Sequence, residues 1–175
     1  MPADPPPAGV HPAAQPIDEL LRSCEARRFR ASGPGGQHRN KVETAVELTH
    51  RPTGVSGRAT ERRSQEANRQ TAIFRLRVEL ALKVRTELSA DAQPSDTWRA
   101  RVRSGKLAIN PTHDDFPALL AEALNHLAAV GHDHAAAADR LGVSPSQLLK
   151  LLRHDPRGLQ TLNAARAASG LSALK

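Results

Sequence analysis

The sequence predicts an α+β fold: a β-hairpin or small sheet packed on a long helix, followed by an all-α helical module with a helix-turn-helix-like segment. Three observations point there. The stretch "TAVELTH", Thr44 to His50, alternates in polarity and is followed by a turn signal and a second short strand pattern. Beyond it, an apolar stripe at helical spacing runs from Ile73 to Leu88. Aromatic residues make up 2% of the 175 residues and tyrosine is absent, so a core must be built from leucine, alanine, valine and isoleucine, which favours helices in the remainder.

The first sixteen residues, "MPADPPPAGVHPAAQP", read as a disordered proline-rich leader. With no positive n-region, no apolar h-region and no arginine before Arg22, the leader signals neither export nor organelle import. "IDELLRSC" then reads as a short helical entry, and "EARRFRA", Glu25 to Ala31, as a strand running into a glycine-rich stretch. In "TAVELTH" one face carries Val46, Leu48 and His50, and the other Ala45, Glu47 and Thr49. "RPTG", Arg51 to Gly54, is a turn, and "VSGRATE" is the returning strand of the hairpin. Ser64 opens a helix expected to reach about Leu88, with Ile73, Phe74, Leu76, Leu80, Ala81, Val84 and Leu88 along its apolar side. Arg62, Arg63, Arg69, Arg75 and Arg77 are expected at its start and on its outer face.

"SADAQPSDT", Ser89 to Thr97, has linker composition. In the "WRARVRSGK" that follows, Trp98 stands among Arg99, Arg101, Arg103 and Lys106. Such a stretch could stack on and neutralise RNA, or it could be a linker whose tryptophan packs on a neighbouring domain. Phe116, Leu119, Leu120, Ala123, Leu124, Leu127 and Ala128 recur at helical spacing, with Asp115 placed to cap them. Asp133 to Arg153 resembles a helix-turn-helix, with a helix ending at Leu141, a Gly142 turn, a Ser144 cap and a second helix carrying Leu148, Leu149, Leu151 and Leu152. Pro156 to Gly170 closes a helical bundle. The expected division is a leader (1–16), an α+β unit (17–89), a linker with the basic tryptophan segment (90–110) and a helical bundle module (111–175).

Of the formal net charge of +7, the segment Arg22 to Arg85 holds 15 Lys+Arg against 6 Glu and no Asp, a local +9. The rest of the chain sums to −2. Basic charge confined to one segment implies a polyanion-binding surface, most simply for nucleic acid. If the helix-turn-helix read DNA, Ser146, Gln147, Lys150 and Arg153 would be its exposed candidates, but residues 90–175 carry 10 Lys+Arg against 8 acids, a weak footprint for that role. A single cysteine, Cys24, excludes an internal disulfide framework and a zinc-thiolate site and fits a reducing, cytoplasmic compartment. No apolar run approaches the roughly 20 residues that span a bilayer, so no membrane association is expected.

Several kinds of chemistry can be set aside. "GPGGQHRNK", Gly33 to Lys41, lacks the spacing of a phosphate-cradling P-loop. In "HDH", His132 and His134 are two apart and do not share a helix face, so no metal site is expected. No serine or cysteine nucleophile with a matching base is visible. The remaining candidate is Gln37, and an amide would assist hydrolysis only by positioning water and stabilising charge. Gly35 and Gly36 would let the backbone approach a substrate closely.

The residues from Phe29 to Leu80 resemble the GGQ catalytic domain shared by class I peptide-chain release factors and codon-independent ribosome-rescue hydrolases. The matching features are ordered: "RASG" into Gly35-Gly36-Gln37, then Asn40-Lys41, "AV.LTH.PTG", and "ERRSQ..N" leading into a helix. The resemblance implies ribosome-dependent hydrolysis of the ester joining a nascent peptide to tRNA, with no cofactor. It gives Gln37 the catalytic position, with its backbone N–H stabilising the oxyanion or the leaving ribose oxygen and its side chain orienting or excluding water. Gly35 and Gly36 set its conformation. Ser32, Gly33, Arg39, Asn40 and Lys41 are expected to pack or bind in the large-subunit rRNA of the peptidyl-transferase centre, and Arg62, Arg63 and Gln65 to take a structural or rRNA-contacting role.

The partners so implied are the ribosome and peptidyl-tRNA, met by a monomer. No room for a codon-reading domain precedes Glu25 and no codon-recognition tripeptide is found, so codon-independent release is expected. Small rescue hydrolases carry a basic C-terminal tail where this chain has a nearly neutral helical module, and Pro34 and Arg39 replace small, uncharged residues. The alternatives are a non-catalytic ribosome- or RNA-binding factor, and a DNA-binding regulator acting through Asp133 to Arg153.

Overall fold

Residues with alternating polarity pair as strands only if another layer covers their apolar side, and here one helix does so. The computed structural model describes residues 9–29, 44–89 and 91–175. A short helix α1 (Ile17–Arg22) leads into a three-stranded antiparallel sheet of β1 (Cys24–Phe29), β2 (Ala45–His50) and β3 (Val55–Ala59), in the order β1-β2-β3. Val46, Leu48 and His50 are buried as the alternation requires, and their cross-strand partners Ala59, Gly57 and Val55 share that face. Helix α2 (Gln65–Lys83) lies across it, in contact with β2 and β3. Gly57 admits the helix because a side chain there would run into the backbone of Ala72 and Leu76.

The second half is helical, as the i, i+3, i+4 pattern predicts. Helix α3 (Asp96–Arg101) is followed by a minimal hairpin of β4 (Val102–Arg103) and β5 (Lys106–Leu107). Ser104 and Gly105 both have positive φ, the geometry of a two-residue hairpin turn that follows strand twist. Helices α4 (Phe116–Ala129), α5 (His134–Arg140), α6 (Pro145–Arg153) and α7 (Pro156–Ala168) complete the module. The Ser144 side chain caps α6 by accepting from Gln147 N–H, and α5 and α6 pack as the helix-turn-helix spacing anticipates. Helix α4 packs on α2, so one apolar cluster runs from Val46 and Leu48 through Leu76 and Leu80 to Leu120, Leu148 and Leu162. The fold is α+β.

Several details depart from expectation. Of the leader, residues 11–13 are packed: Ala13 is buried, His11 Nε2–H donates to Val84 O at 3.1 Å, and Arg77 donates to Ala13 O at 2.9 Å. Proline-rich composition predicts disorder, yet a short 3-10 turn, Pro12–Ala14, presents small apolar groups to α2 and α4. Arg77 is accordingly buried rather than on the outer face, with its other arm on Asp114 O at 2.8 Å. Helix α2 stops at Lys83, short of Leu88, because the Arg85 guanidinium turns back onto the carbonyls of Ala81, Leu82 and Val84. Asp115 precedes α4 without capping it, since its carboxylate binds Arg101.

Candidate functional site

The segment that the sequence marks as catalytic, Gly35, Gly36 and Gln37 with Ser32, Gly33, Arg39, Asn40 and Lys41, lies outside the described residues. What the structure does place is the end of the sheet from which that segment departs and to which it returns. Phe29, the last residue of β1, pairs with Ala45, the first of β2. The Arg58 guanidinium stands over the Phe29 ring, 4.2 Å from its centroid. On the returning side, Thr44 is held through its carbonyl, which accepts from Asn68 Nδ2 at 2.7 Å.

Asn68 is fully buried in the first turns of α2 and its amide has further partners. Nδ2 also donates to Arg62 O at 2.9 Å, and Oδ1 accepts from Arg62 N–H at 2.9 Å. One side chain thereby joins the start of β2, the connection that carries Arg62 and Arg63, and the helix. Ser64 caps that helix by accepting from Ala67 N–H, which leaves Gln65 half-buried on its first turn. Asn68 closes the motif "ERRSQ..N", yet sequence reasoning does not place it among the site residues. Its spacing in that motif is the signal that could have found it.

The cations fall into two groups. Arg69 pairs with Glu66, Arg75 with Glu61, Arg99 with Asp96, Arg101 with Asp115, and Arg157 with Glu79 and Asp155. The hydrogen bond from Arg75 holds the Glu61 carboxyl down at about 2, so that pair stays ionised through the ordinary pH range. By contrast, Arg27, Arg28, Arg62 and Arg63 are exposed, and no carboxylate among the described residues lies within ion-pair distance of them. The register sets Arg28 and Arg27 opposite Val46 and Glu47, and Ala59, two residues before Glu61, opposite Val46. These four arginines stand on β1 and in the connection that Asn68 binds. Positive charge with no carboxylate partner among the described residues is suited to exchanging counterions for phosphates.

The basic tryptophan segment is split by the structure. Trp98 is fully buried and its indole N–H donates to Leu141 O at 2.8 Å, so it has no open face on which a base could stack. Of the two readings of this residue, packing on neighbouring helices is the one the structure shows. Arg101 is committed to Asp115 at 2.6 Å and Arg99 to Asp96. Arg103 and Lys106 are exposed, directly opposite each other across the β4–β5 hairpin, with no carboxylate partner among the described residues. On the helix-turn-helix, Ser146 and Lys150 are exposed, Gln147 is half-buried and the Arg153 side chain donates to the carbonyl of Lys175.

Other chemistry finds little support. The register sets Cys24 opposite His50, a pairing hidden by their separation in sequence. Burial pushes the Cys24 thiol up, and His50 Nδ1 is bonded to Thr53 Oγ1 at 2.8 Å, so the pair is not an activated nucleophile and base. Among the described residues no cluster of histidine, cysteine and carboxylate groups is arranged to hold a metal, and no helix is long and apolar enough to cross a membrane. Asp133 of "HDH" caps α5, its carboxylate accepting from Ala135 and Ala136 N–H.

Comparison with known proteins identifies the unit of sheet and long helix as a release-factor-like GGQ domain. Residues 18–111 match the RF-1 domain, and the chain belongs to that family. It is similar to "Peptide chain release factor PrfB1, chloroplastic" of Arabidopsis thaliana, 61% identical over 51 residues, which cover 29% of this chain and 11% of that protein. It is also similar to "Peptide chain release factor 1" of Acidiphilium cryptum, 43% identical over 83 residues, 46% of this chain and 24% of that one. For the protein of the same name from Ureaplasma parvum serovar 3 the figures are 45% over 73 residues, 41% and 20%. The chain thus matches between 11% and 24% of the length of these relatives. No solved structure matches it at a significant level.

Proposed function

We propose that this protein hydrolyses the ester of peptidyl-tRNA on the ribosome, without reading a codon, by delivering Gln37 to the peptidyl-transferase centre. The observation that carries the reading is the loop end of the sheet, within an RF-1 domain: Thr44, on the returning side of the Gln37 segment, is held by Asn68, which also binds the Arg62 backbone, and Arg62 and Arg63 have no carboxylate partner among the described residues. Water adds to the ester carbonyl carbon, the bond to the ribose oxygen breaks, that oxygen takes up a proton, and the peptide leaves as an acid. Gly35 and Gly36 bring the backbone close, the Gln37 N–H meets the developing negative charge, and its side chain positions water. Ser32, Gly33, Arg39, Asn40, Lys41, Arg62, Arg63 and Gln65 contact rRNA or pack beside it. Arg103 and Lys106 supply a second phosphate contact from the hairpin, while the helical module buttresses α2.

The protein is expected to act as a monomer, in the cytoplasm, with the ribosome and peptidyl-tRNA as its partners. The test compares peptide release from ribosomes holding peptidyl-tRNA with a stop codon, a sense codon or no mRNA in the vacant site. Equal release from all three supports the codon-independent form, and release confined to the stop codon contradicts it. The exposed cations that have no carboxylate partner among the described residues also favour a second reading, a ribosome- or RNA-binding factor without catalysis. That reading expects salt-sensitive ribosome binding and no peptide release.

A further inference from the structure

We infer that the helical module carries an RNA surface of its own, formed by the β4–β5 hairpin together with helix α6 and suited to gripping the phosphates of an RNA double helix. It shares the hairpin contact with the reading above, but nothing in it depends on Gln37.

Residues 90–175 are nearly balanced in charge, with 10 Lys+Arg against 8 acids, but the balance is uneven in space. Arg99 pairs with Asp96, Arg101 with Asp115 and Arg157 with Asp155, while Arg166 is buried on the carbonyls of His132 and Ser172. Arg103, Lys106 and Lys150 are exposed and have no carboxylate partner among the described residues. They stand on two elements that touch, since β5 packs against α6, and neither the hairpin nor α6 contains an acidic residue. Val102 and Leu107 hold the hairpin on the apolar cluster. On α6, Leu148, Leu151 and Leu152 are buried, and the exposed Ser146, Lys150 and Arg153 recur at i, i+4 and i+7, one stripe of the helix. Arg153 is held by the Lys175 carbonyl, so the stripe offers the Lys150 ammonium with the Ser146 hydroxyl one turn before it.

The register gives the hairpin a reason to bind an anion. Arg103 and Lys106 are direct cross-strand partners, and like charges so placed repel until a negative group lies between them. The surface also lacks what a single strand needs. Trp98 and Phe116 are buried, Phe29 and Phe74 belong to β1 and α2, and the His154 ring at the end of α6 packs edge-on against Phe116. Single strands are held by stacking their bases on open rings, whereas a double helix keeps its bases stacked and is gripped through phosphates and 2′-hydroxyls. Cations and a hydroxyl without an open ring fit the double helix.

The test measures binding of the full chain to a labelled RNA duplex of about 20 base pairs, long enough for a module that follows the backbone, by fluorescence anisotropy across a salt series. The same-length single strand and the corresponding DNA duplex are run beside it. For the Arg103→Gln, Lys106→Gln, Lys150→Gln triple variant, affinity for the RNA duplex should fall at least about tenfold, and the slope of log affinity against log salt should flatten by about 2 to 3. Binding to the single strand should change less than about threefold, because that ligand draws little on this surface. Arg99→Gln is the charge control, and it should leave the slope as it is because its guanidinium is spent on Asp96. If thermal unfolding shows that the triple variant does not fold, Arg103→Gln and Lys150→Gln carry the test singly, each flattening the slope by about 0.9. An unchanged affinity and slope in the folded variant overturns the inference, as do an equal loss on the single strand, an equal loss in Arg99→Gln, or tighter binding of the DNA duplex than of the RNA duplex. Wild-type protein that shows the expected duplex pattern but releases no peptide defeats the hydrolytic reading and leaves this inference standing. A wild type that releases peptide, with duplex binding untouched in the triple variant, defeats this inference alone.

Discussion

Gly57 and Leu76 meet without a side chain between them: a Cβ on Gly57 would stand 2.6 Å from Leu76 Cα and 2.5 Å from Ala72 O. Strand β3 and helix α2 are in backbone contact there, and backbone cannot swing aside as a side chain can. Gly57→Ala is therefore expected to cost at least about 3 kcal/mol, the upper end of ordinary overpacking. Denaturant unfolding checks this. Gly54→Ala is a useful contrast, since its φ is +68° and open space surrounds it, so its penalty is backbone strain of only about 1 kcal/mol.

Stability should fall in mild acid through His11. Its Nε2–H donates to Val84 O and its Nδ1 accepts from Ala13 N–H, so the neutral ring uses both nitrogens. Burial first, then the nearby Arg85 charge, holds its pKa at about 4 against 6.5, with the Val84 bond opposing. Between those values the unfolded chain binds the proton and the folded chain does not, so the stabilisation is complete above pH 6.5 and is lost as pH drops toward 4. The full difference is about 3 kcal/mol. His50 and His126, also lowered by burial, act in the same direction. Urea unfolding at about pH 7 and about pH 4.5 should show the loss, and His11→Gln should be less stable at neutral pH with a shallower dependence on pH.

How far the sequence was legible varied with the kind of interaction. Alternation in residues 45–50 and the apolar stripe after Ser64 are local periodicities, and the sheet and α2 follow them. The end of α2 does not, because it is set by Arg85 folding back and His11 arriving from 73 residues away. The same distance hides the packing of residues 11–13. Trp98 and its arginines carried two readings, and burial against Leu141 decides the ring while leaving Arg103 and Lys106 exposed. At the site, residue type, order and family resemblance single out Gly35, Gly36 and Gln37, which lie outside the described residues. The bonds of Asn68 were not legible in this way, because an asparagine in a helix shows its purpose only when the carbonyls it binds are known.

The division between committed and uncommitted arginines has a direct measure in ribosome binding. Neutralising Arg62 and Arg63 to glutamine should flatten the dependence of log affinity on log salt by about 0.7 for each phosphate that is no longer neutralised. Arg101→Gln should leave the slope unchanged, because that charge is spent on Asp115 at 2.6 Å. It should instead lower stability by about 1 kcal/mol, the worth of a half-buried, hydrogen-bonded pair.

Trp98, the single tryptophan, reports on its own environment. Its emission should be blue-shifted, resist iodide quenching and stay unchanged when RNA is added. Trp98→Ala should destabilise by about 3–5 kcal/mol, and Trp98→Phe by about 1–3 kcal/mol for the unpartnered Leu141 carbonyl. RNA affinity of the folded variant should match the wild type.

The central claim is that Gln37 delivers an amide to an ester enclosed by the ribosome. The direct measurement is the single-turnover rate of peptide release from ribosomes holding peptidyl-tRNA, for the wild type and Gln37→Ala at saturating protein. Loss of the group is expected to slow release about 100- to 1000-fold while ribosome binding is retained. Equal rates for the two proteins, or no release by the wild type, would contradict it.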